Sequence, residues 1–375
     1  MTQRPLRVFM PCTGLGSVAR GFETFTRECA AALRDAPGID VRVFGGGPRL
    51  QPGEHRVRCL RRSGKAAALL GRAVNRDPYF VEQATFFAGW LPAVAAGAPD
   101  LVYFADLNLG NALWHWRRVS RMRYRLLYYN GGATTQPFTR CDLVQQVSPE
   151  HLDAALARGE ARERMVWLPH GLAIASAFSA PTEVERATTR AALGVPVAGP
   201  LVVSVGALDV TLKRMDAVIE AVAAMPERPY LLLLGAETVE TPRVRARAEA
   251  LLPGRCAIAT VARPIVIAAC RAADAFVLGS LGEGFGLALA EALAEGVPCV
   301  AHDTVTAAYL GGNHAILADL REPGVLSGAL SSALARGRES AVAQHAWVYE
   351  RFSWDVLAPS YVDLMRRAAA PVNAG

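Results

Sequence analysis

Two rhythms run along this chain. Short unbroken apolar runs mark strands, and between them apolar residues recur at helical spacing, the order expected of βα units in parallel sheets. Residues 6–10, 40–44, 101–104, 126–129, 143–147 and 165–168 predict strands, with a glycine-bearing turn over 13–16 and a helix over 22–33. Ser148, Pro149 and Glu150 form a helix start: a cap, a proline in the first turn and an acid beside the dipole. Residues 170–200, with a helical piece at 183–193, read as a connection. A second series follows, with strands at 201–205, 230–234, 256–260, 275–278 and 297–301. Its helices fall at 215–225, 265–273, 286–294, 324–335 and 340–351, and a last helix runs to about 370.

Composition narrows the classes. The 375 residues suit two or three domains at about 150 residues each. Apolar residues make up 52% and charged residues 20%, which excludes bulk disorder. The net charge of +6 is uneven: residues 1–175 hold 23 basic and 14 acidic side chains, and residues 176–375 hold 17 and 20. That excludes a uniformly basic nucleic-acid coat, and no nucleic-acid partner is expected. Of the 40 basic residues only Lys65 and Lys213 are lysines. The seven cysteines are scattered and contain no C-x-x-C, so buried reduced thiols are expected rather than disulfides or a zinc site. The N-terminus lacks the apolar core of a signal peptide, and no apolar run is long enough to span a membrane. A cytoplasmic location is expected, peripheral at the inner membrane face if the basic clusters meet lipid. Those clusters are 56–76 and 117–125, the second interleaved with Trp114, Trp116, Tyr124 and Tyr128. Two readings stand for them: an anionic membrane face or acidic acceptor, and ordinary arginine-rich surface.

The sharpest constellation is the segment 280–301. Gly284 and Gly286 let backbone approach a ligand closely, just before a helix whose first N–H groups and dipole suit a diphosphate. A glutamate at a phosphate would repel it. Glu283 and Glu291 therefore fit acceptance of hydroxyl hydrogen bonds, such as those of a sugar and a ribose. Gly296 reads as the C-terminal cap of that helix.

Here the chain resembles the family-4 retaining glycosyltransferases, whose E-x7-E signature is matched by Glu283 and Glu291. The resemblance extends to Leu168-Pro169-His170-Gly171, to Val205-Gly206-Ala207-Leu208, to Lys213-Arg214-Met215-Asp216 and to Arg351-Phe352-Ser353-Trp354. It implies an α/β protein of GT-B fold. Two Rossmann-like domains, 1–178 with a returning helix 355–375 and 179–354, would face each other across a cleft. The first would bind the acceptor, a small molecule or lipid-linked, and the second a UDP- or GDP-sugar. Glu283 would touch the donor sugar, Glu291 the ribose, and the backbone of Phe285, Gly286 and Leu287 the sugar and diphosphate. No metal or other cofactor is expected, so side chains must carry the charge of the leaving diphosphate. Lys213, near Gly206, is the compact cation for that role. The family's arginine after this glycine is replaced by Ala207. Arg214 or Arg263 is expected to compensate, and Arg214 is preferred.

In the first half, Gly14, Gly16 and Ala19 give a weak dinucleotide pattern, demoted because the second strand ends in Gly45-Gly46-Gly47 rather than an acid. The other reading is a glycine loop facing diphosphate and acceptor, with Gly16 as the contact. Asn130 stands where the family often has a histidine near the donor sugar; an amide can donate and accept hydrogen bonds there but cannot serve as a base. Asp106, at another strand end, reads as an acceptor-hydroxyl ligand or as a solvated turn acid. His115 and His151 have only generic readings. Two rival functions remain at this level: a nucleotide-sugar epimerase of the same fold, and a nucleotide-sugar-binding module without turnover.

Overall fold

The computed structural model describes residues 4–17, 21–132 and 137–370. The chain forms two compact units, Met1–Ala173 with Trp354–Gly375, and Ile174–Ser353, so it passes between them twice. Among the described residues, no helix is long and apolar enough to cross a membrane.

The first unit is built on a wholly parallel sheet. Its strands are β1 Leu6–Cys12, β2 Ile39–Gly45, β3 Glu54–Arg56, β4 Leu101–Phe104, β5 Arg125–Asn130, β6 Leu143–Gln146 and β7 Met165–Trp167, in the order β3-β2-β1-β4-β5-β6-β7. Val8 of β1 lies opposite Val41 of β2 and Leu101 of β4, which sets the register on both sides of the central strand. Every residue of β4 and β6 is buried. A strand covered on both faces reads as a continuous apolar run, as β4 does; β6 instead ends in two buried amides, Gln145 and Gln146. The helices Pro78–Gly97 and Leu107–Ser120 pack together, and Phe86, Trp90, Leu109 and Leu113 from them join Phe9, Phe104 and Tyr128 in one core.

A second group of aromatic side chains gathers around the C-terminal helix, Trp354–Ala369, which packs on Gly21–Ala32. Phe25 stacks on Tyr129 at 3.8 Å between ring centroids, and Trp354 meets Tyr361 at 4.8 Å. The buried Tyr361 hydroxyl donates to the Pro169 carbonyl (2.7 Å) and accepts from Gln145 Nε2 (2.9 Å). The other end of the Gln145 amide accepts from the Tyr103 hydroxyl. Each of these three buried side chains, Tyr361, Gln145 and Tyr103, is thus satisfied by the next.

The second unit repeats the plan with β8 Leu201–Val205, β9 Tyr230–Leu234, β10 Cys256–Ala259, β11 Ala275–Leu278, β12 Cys299–His302 and β13 Ala315–Ala318, all parallel, in the order β10-β9-β8-β11-β12-β13. The helix Met215–Ala223 packs against Thr241–Leu251 and Val325–Arg336, and its Met215, Val218, Ile219 and Val222 fill the core with Leu231, Leu233, Val277 and Leu330. Arg263–Ala272 and Leu287–Ala294 form another group with Glu183–Ala192 and Ala341–Phe352. Partly buried charges are tied down by backbone groups and by one another: Asp274 accepts from Arg190 and the Leu201 amide, both at 2.7 Å. Arg338 donates to the carbonyls of Cys270, Arg271, Ala273 and Glu295, and burial lowers it to about 10.

The apolar pattern did not mark every element. Strand β3 is the polar triplet Glu54–Arg56 at a sheet edge, and β13 is the short opposite edge of the other sheet. Strand β12 begins at Cys299 rather than 297. Five helices lie in stretches left unassigned: Lys65–Ala73, Pro78–Gly97, Leu107–Ser120, Thr241–Leu251 and Val305–Gly311. Pro78–Gly97 is apolar nearly all round, so no single stripe announces it. Its start was visible in Asp77-Pro78: the aspartate accepts from the Phe80 amide at 2.7 Å.

Replacing Tyr361 with phenylalanine keeps the ring but removes the hydroxyl that Pro169 and Gln145 share. Two buried polar groups lose a partner, so a loss of about 1–3 kcal/mol is expected. Urea unfolding of Tyr361→Phe should show a lower midpoint with an unchanged slope; an unchanged midpoint would remove this network from the account of how the helix is held.

Candidate active site

In the second unit the strand order reverses between β8 and β11. Loops leaving such neighbours at their C-terminal ends diverge, and open α/β sheets bind ligands there. The loop after β8 is folded by a buried acid: Asp209 Oδ1 accepts from the amides of Leu212 and Lys213 at 2.8 and 2.7 Å, and its carbonyl accepts from Met215 at 3.0 Å. Glu240 closes the other side, taking the Thr211 hydroxyl at 2.8 Å and the amides of Val210 and Thr211. Those bonds, the Thr211 hydroxyl foremost, hold the Glu240 carboxyl below its usual range.

The loop brings the Lys213 stem across Gly206. A β-carbon on Gly206 would lie 2.9, 3.0 and 3.3 Å from Cγ, Cδ and Cε of Lys213, so only glycine leaves room for this path. Lys213 Nζ reaches Glu283 Oε1 at 2.5 Å, and the Ser280 hydroxyl donates to the same oxygen at 2.5 Å. The first glutamate of the signature and the expected cation thus meet at the β8–β11 reversal, on side chains 20% and 24% exposed.

Gly286, at φ +91°, turns the chain into the helix Leu287–Ala294 in a conformation that favours glycine. The N–H groups of that helix's first turn have no acceptor within the helix and present its positive end. Gly284 is half-buried, and Phe285 is buried edge-on against Phe352 at 5.7 Å. A recess behind Glu283, lined by Phe285, Gly286, His302, Thr306 and Leu310, has about 10 Å³ of interior. That is room for about one water, far less than a sugar ring. Glu291 holds its own cation: Arg263 Nε and Nη2 lie 2.7 and 2.6 Å from Oε1.

Arg214 departs from the expectation that it would add charge beside Lys213. Its backbone is left-handed at φ +51°, and Nη1 donates to the carbonyls of Gly279 and Leu320 at 3.3 and 3.2 Å. The guanidinium thus braces the backbone that follows β11, and of the two neighbouring cations it is Lys213 that reaches Glu283.

In the first unit the order reverses between β1 and β4, and a polar cluster closes that point. Asp106 is buried, accepting from Thr13 Oγ1 (3.0 Å), Gln83 Nε2 (3.1 Å) and the Tyr79 hydroxyl. This excludes the solvated-turn reading of Asp106. Burial, with the Asp106 charge added, raises the Tyr79 phenol far above its usual value. Arg62 covers the cluster, its guanidinium 3.9 Å from the Tyr79 ring centroid and paired with buried Glu82. Gly16 is at φ +81°, and a β-carbon there would lie 2.9 Å from the Arg49 carbonyl oxygen, so loop packing already demands glycine. Ala19, the third member of the demoted dinucleotide pattern, lies outside the described residues. Asn130 is buried at the end of β5 with Nδ2 donating to Gln146 at 2.8 Å. His170 is also buried, its Nδ1 2.5 Å from the Tyr129 hydroxyl.

Asp209, Ser280, Tyr79 and Gln83 were not singled out from the sequence. Asp209 had a signal, an acid able to cap amides three and four residues on, as such loops require. Ser280 stands three residues before Glu283 but is ordinary without the fold. Tyr79 and Gln83 share a face at helical spacing in a helix that was not predicted. The cysteines are free thiols: burial raises the Cys59 thiol to about 11 and that of Cys256 to about 12, so neither is a ready nucleophile. Among the described residues, no group of three or more His, Cys, Asp or Glu side chains is placed to hold a metal ion.

Residues 199–336 match the family model described as glycosyl transferases group 1. A D-inositol 3-phosphate glycosyltransferase of Xylanimonas cellulosilytica is 30% identical over 240 residues, 60% of this chain and 57% of that protein. The chain therefore spans little more than half the length of this curated relative. Sucrose-phosphate synthase from Thermosynechococcus elongatus superposes with a TM-score of 0.77 at 20% identity, over 96% of this chain and 98% of that one. Anabaena HepE, solved in complex with UDP-glucose, gives 0.76 at 18% identity over 96% and 99%. These likenesses give the fold as GT-B, with two parallel Rossmann-like sheets. The matched segment lies within the second unit and holds Lys213, Glu283 and Glu291, and over it the chain is similar to the glycosyl transferases of group 1.

Proposed function

We propose that the protein moves a sugar from a nucleotide-diphospho-sugar to an acceptor hydroxyl, with retention at the anomeric carbon. The observation that carries this reading is the meeting of Lys213 and Glu283 at the β8–β11 reversal, beside the amides that open the helix Leu287–Ala294. A donor laid there would take the Lys213 ammonium with its phosphates and the Glu283 carboxylate with its sugar hydroxyls. Glu291, held by Arg263, would accept from the ribose. The UDP-glucose bound by HepE favours a UDP-sugar over a GDP-sugar as donor.

In the step itself the acceptor oxygen attacks the anomeric carbon on the face from which the diphosphate leaves. The bond from that carbon to the diphosphate oxygen breaks, and a leaving-group oxygen takes the acceptor's proton. Negative charge grows on the diphosphate, so groups fixed there lower the barrier more than they strengthen ground-state binding. Lys213 and the backbone of Phe285, Gly286 and Leu287 are those groups, without a metal ion in this reading. Arg214 and Asp209 act by holding the two loops in place. In this reading Asp106 and its partners at the β1–β4 reversal would receive acceptor hydroxyls, and Gly16 and Asn130 would be donor contacts. A second reading, binding without turnover, draws on Ala207, which removes one expected positive charge, and on Asn130, which cannot exchange a proton.

Lys213→Ala should lower turnover by about 10²–10³-fold, the scale of losing one fixed group that stabilises developing charge, with a smaller loss of donor affinity. Nucleoside diphosphate release from UDP- and GDP-sugars measures the first and thermal shift the second. If Lys213→Ala leaves both intact, the diphosphate assignment is wrong; if donors bind but neither hydrolysis nor transfer occurs with any acceptor, the binding-module reading replaces the enzyme. Gly206→Ala is expected to keep the fold yet lose turnover, because the added methyl displaces the Lys213 stem. Wild-type turnover in Gly206→Ala would show that the lysine does not need this path.

A further inference from the structure

The helix Lys65–Ala73 is built inside out. Its inner face carries only the small residues Ala67 and Gly71, whereas Leu69, Leu70 and the following Val74 are 72%, 42% and 51% exposed. Ala66, Leu69, Leu70 and Ala73 recur at helical spacing and are all exposed, so they form one apolar stripe facing outward. The orientation is fixed by packing. A β-carbon on Gly71 would lie 2.6 Å from the Arg76 carbonyl oxygen, so this narrow side packs on the turn that leads into the neighbouring helix Pro78–Gly97. The leucines have no inward alternative.

Cations surround the stripe. Residues 56–76 contain seven basic side chains and no acid. Arg62 is engaged with Glu82, but Arg58, Arg61, Lys65 and Arg72 are exposed and, among the described residues, form no salt bridge. The other basic run differs. Arg117 and Arg125 are both joined to Asp142, at 2.5 and 3.3 Å, and its only large exposed apolar side chain is Val119.

From this juxtaposition we infer that the Lys65–Ala73 face is a docking surface for an anionic lipid bilayer. A nucleic acid would meet the cations but offer nothing to bury the leucines. A lipid surface supplies both partners: acyl chains for Leu69, Leu70 and Val74, and headgroup charge for Arg58, Arg61, Lys65 and Arg72. Such binding is reversible and depends on salt, because the charge attraction falls off within a Debye length. The inference does not depend on the proposed transfer reaction and is read without it.

The test is flotation of the full chain with vesicles of phosphatidylcholine, with and without phosphatidylglycerol. Binding is expected only with the anionic lipid, and it should weaken as salt is raised. Lys65→Glu with Arg72→Glu should reduce partitioning by at least about 25-fold, from roughly fivefold for each cation removed. Leu69→Asp with Leu70→Asp should reduce it at least tenfold without moving the thermal midpoint or the shift produced by UDP-sugar, since both side chains lie outside the core. Absence of vesicle binding by the wild type, or binding that survives both pairs of substitutions, would overturn the inference. So would a wild-type dimer in solution that dissociates in the leucine variant, because the stripe would then serve a second copy of the chain.

Discussion

A parallel sheet delivers every strand's next loop to the same edge, and where strand order reverses the two neighbouring loops must part. In the second unit this constraint separates the loop after β8 from the loop after β11 and leaves backbone amides and side chains between them. What can occupy that space is then decided by atoms that are missing. Gly235 lies so near Gly206 that a β-carbon on it would sit 1.5 Å from the Gly206 carbonyl oxygen, and Gly206 in turn clears the path of Lys213. The lysine's position is therefore a property of backbone packing before it is one of charge.

The charges are arranged in matched pairs around that geometry. Lys213 and Glu283 share one contact, Arg263 and Glu291 another, and Ser280 adds a neutral donor to the first. A half-buried charge without its partner is costly, so the first pair ties two loops together and the second ties two helices. The sequence departs at Ala207 from the family it resembles, and neither nearby arginine simply replaces the missing cation: Arg214 is turned to carbonyls and Arg263 to Glu291. The first unit uses the same reversal differently, filling it with Asp106, Thr13, Tyr79 and Gln83.

Much of this was legible in the residues, for a physical reason. Buried parallel strands are apolar on both faces, so β4, β8, β9 and β11 stand out with their observed bounds. The E-x7-E pair and the rarity of lysine marked Glu283, Glu291 and Lys213. What stayed hidden follows from tertiary context. Strand β3 is polar because it is an edge, and Pro78–Gly97 shows no stripe because its residues are apolar nearly all round although only one side of it is buried. Lys65–Ala73 defeats the usual reading more completely, since its leucines face out. Contacts such as Asp106 with Tyr79 join residues far apart in sequence, and no local spacing encodes them.

The scarcity of lysine has one more consequence. Apart from the chain terminus, primary amines occur only at Lys65 and Lys213, one exposed on the apolar-striped helix of the first unit and one paired with Glu283 in the second. Reductive methylation with labelled carbon would therefore give two side-chain resonances, already separated by environment. The chain carries a natural pair of spectroscopic labels, one in each unit, and events at the exposed helix and at the Lys213–Glu283 pair can be followed in the same sample without introducing a single foreign residue.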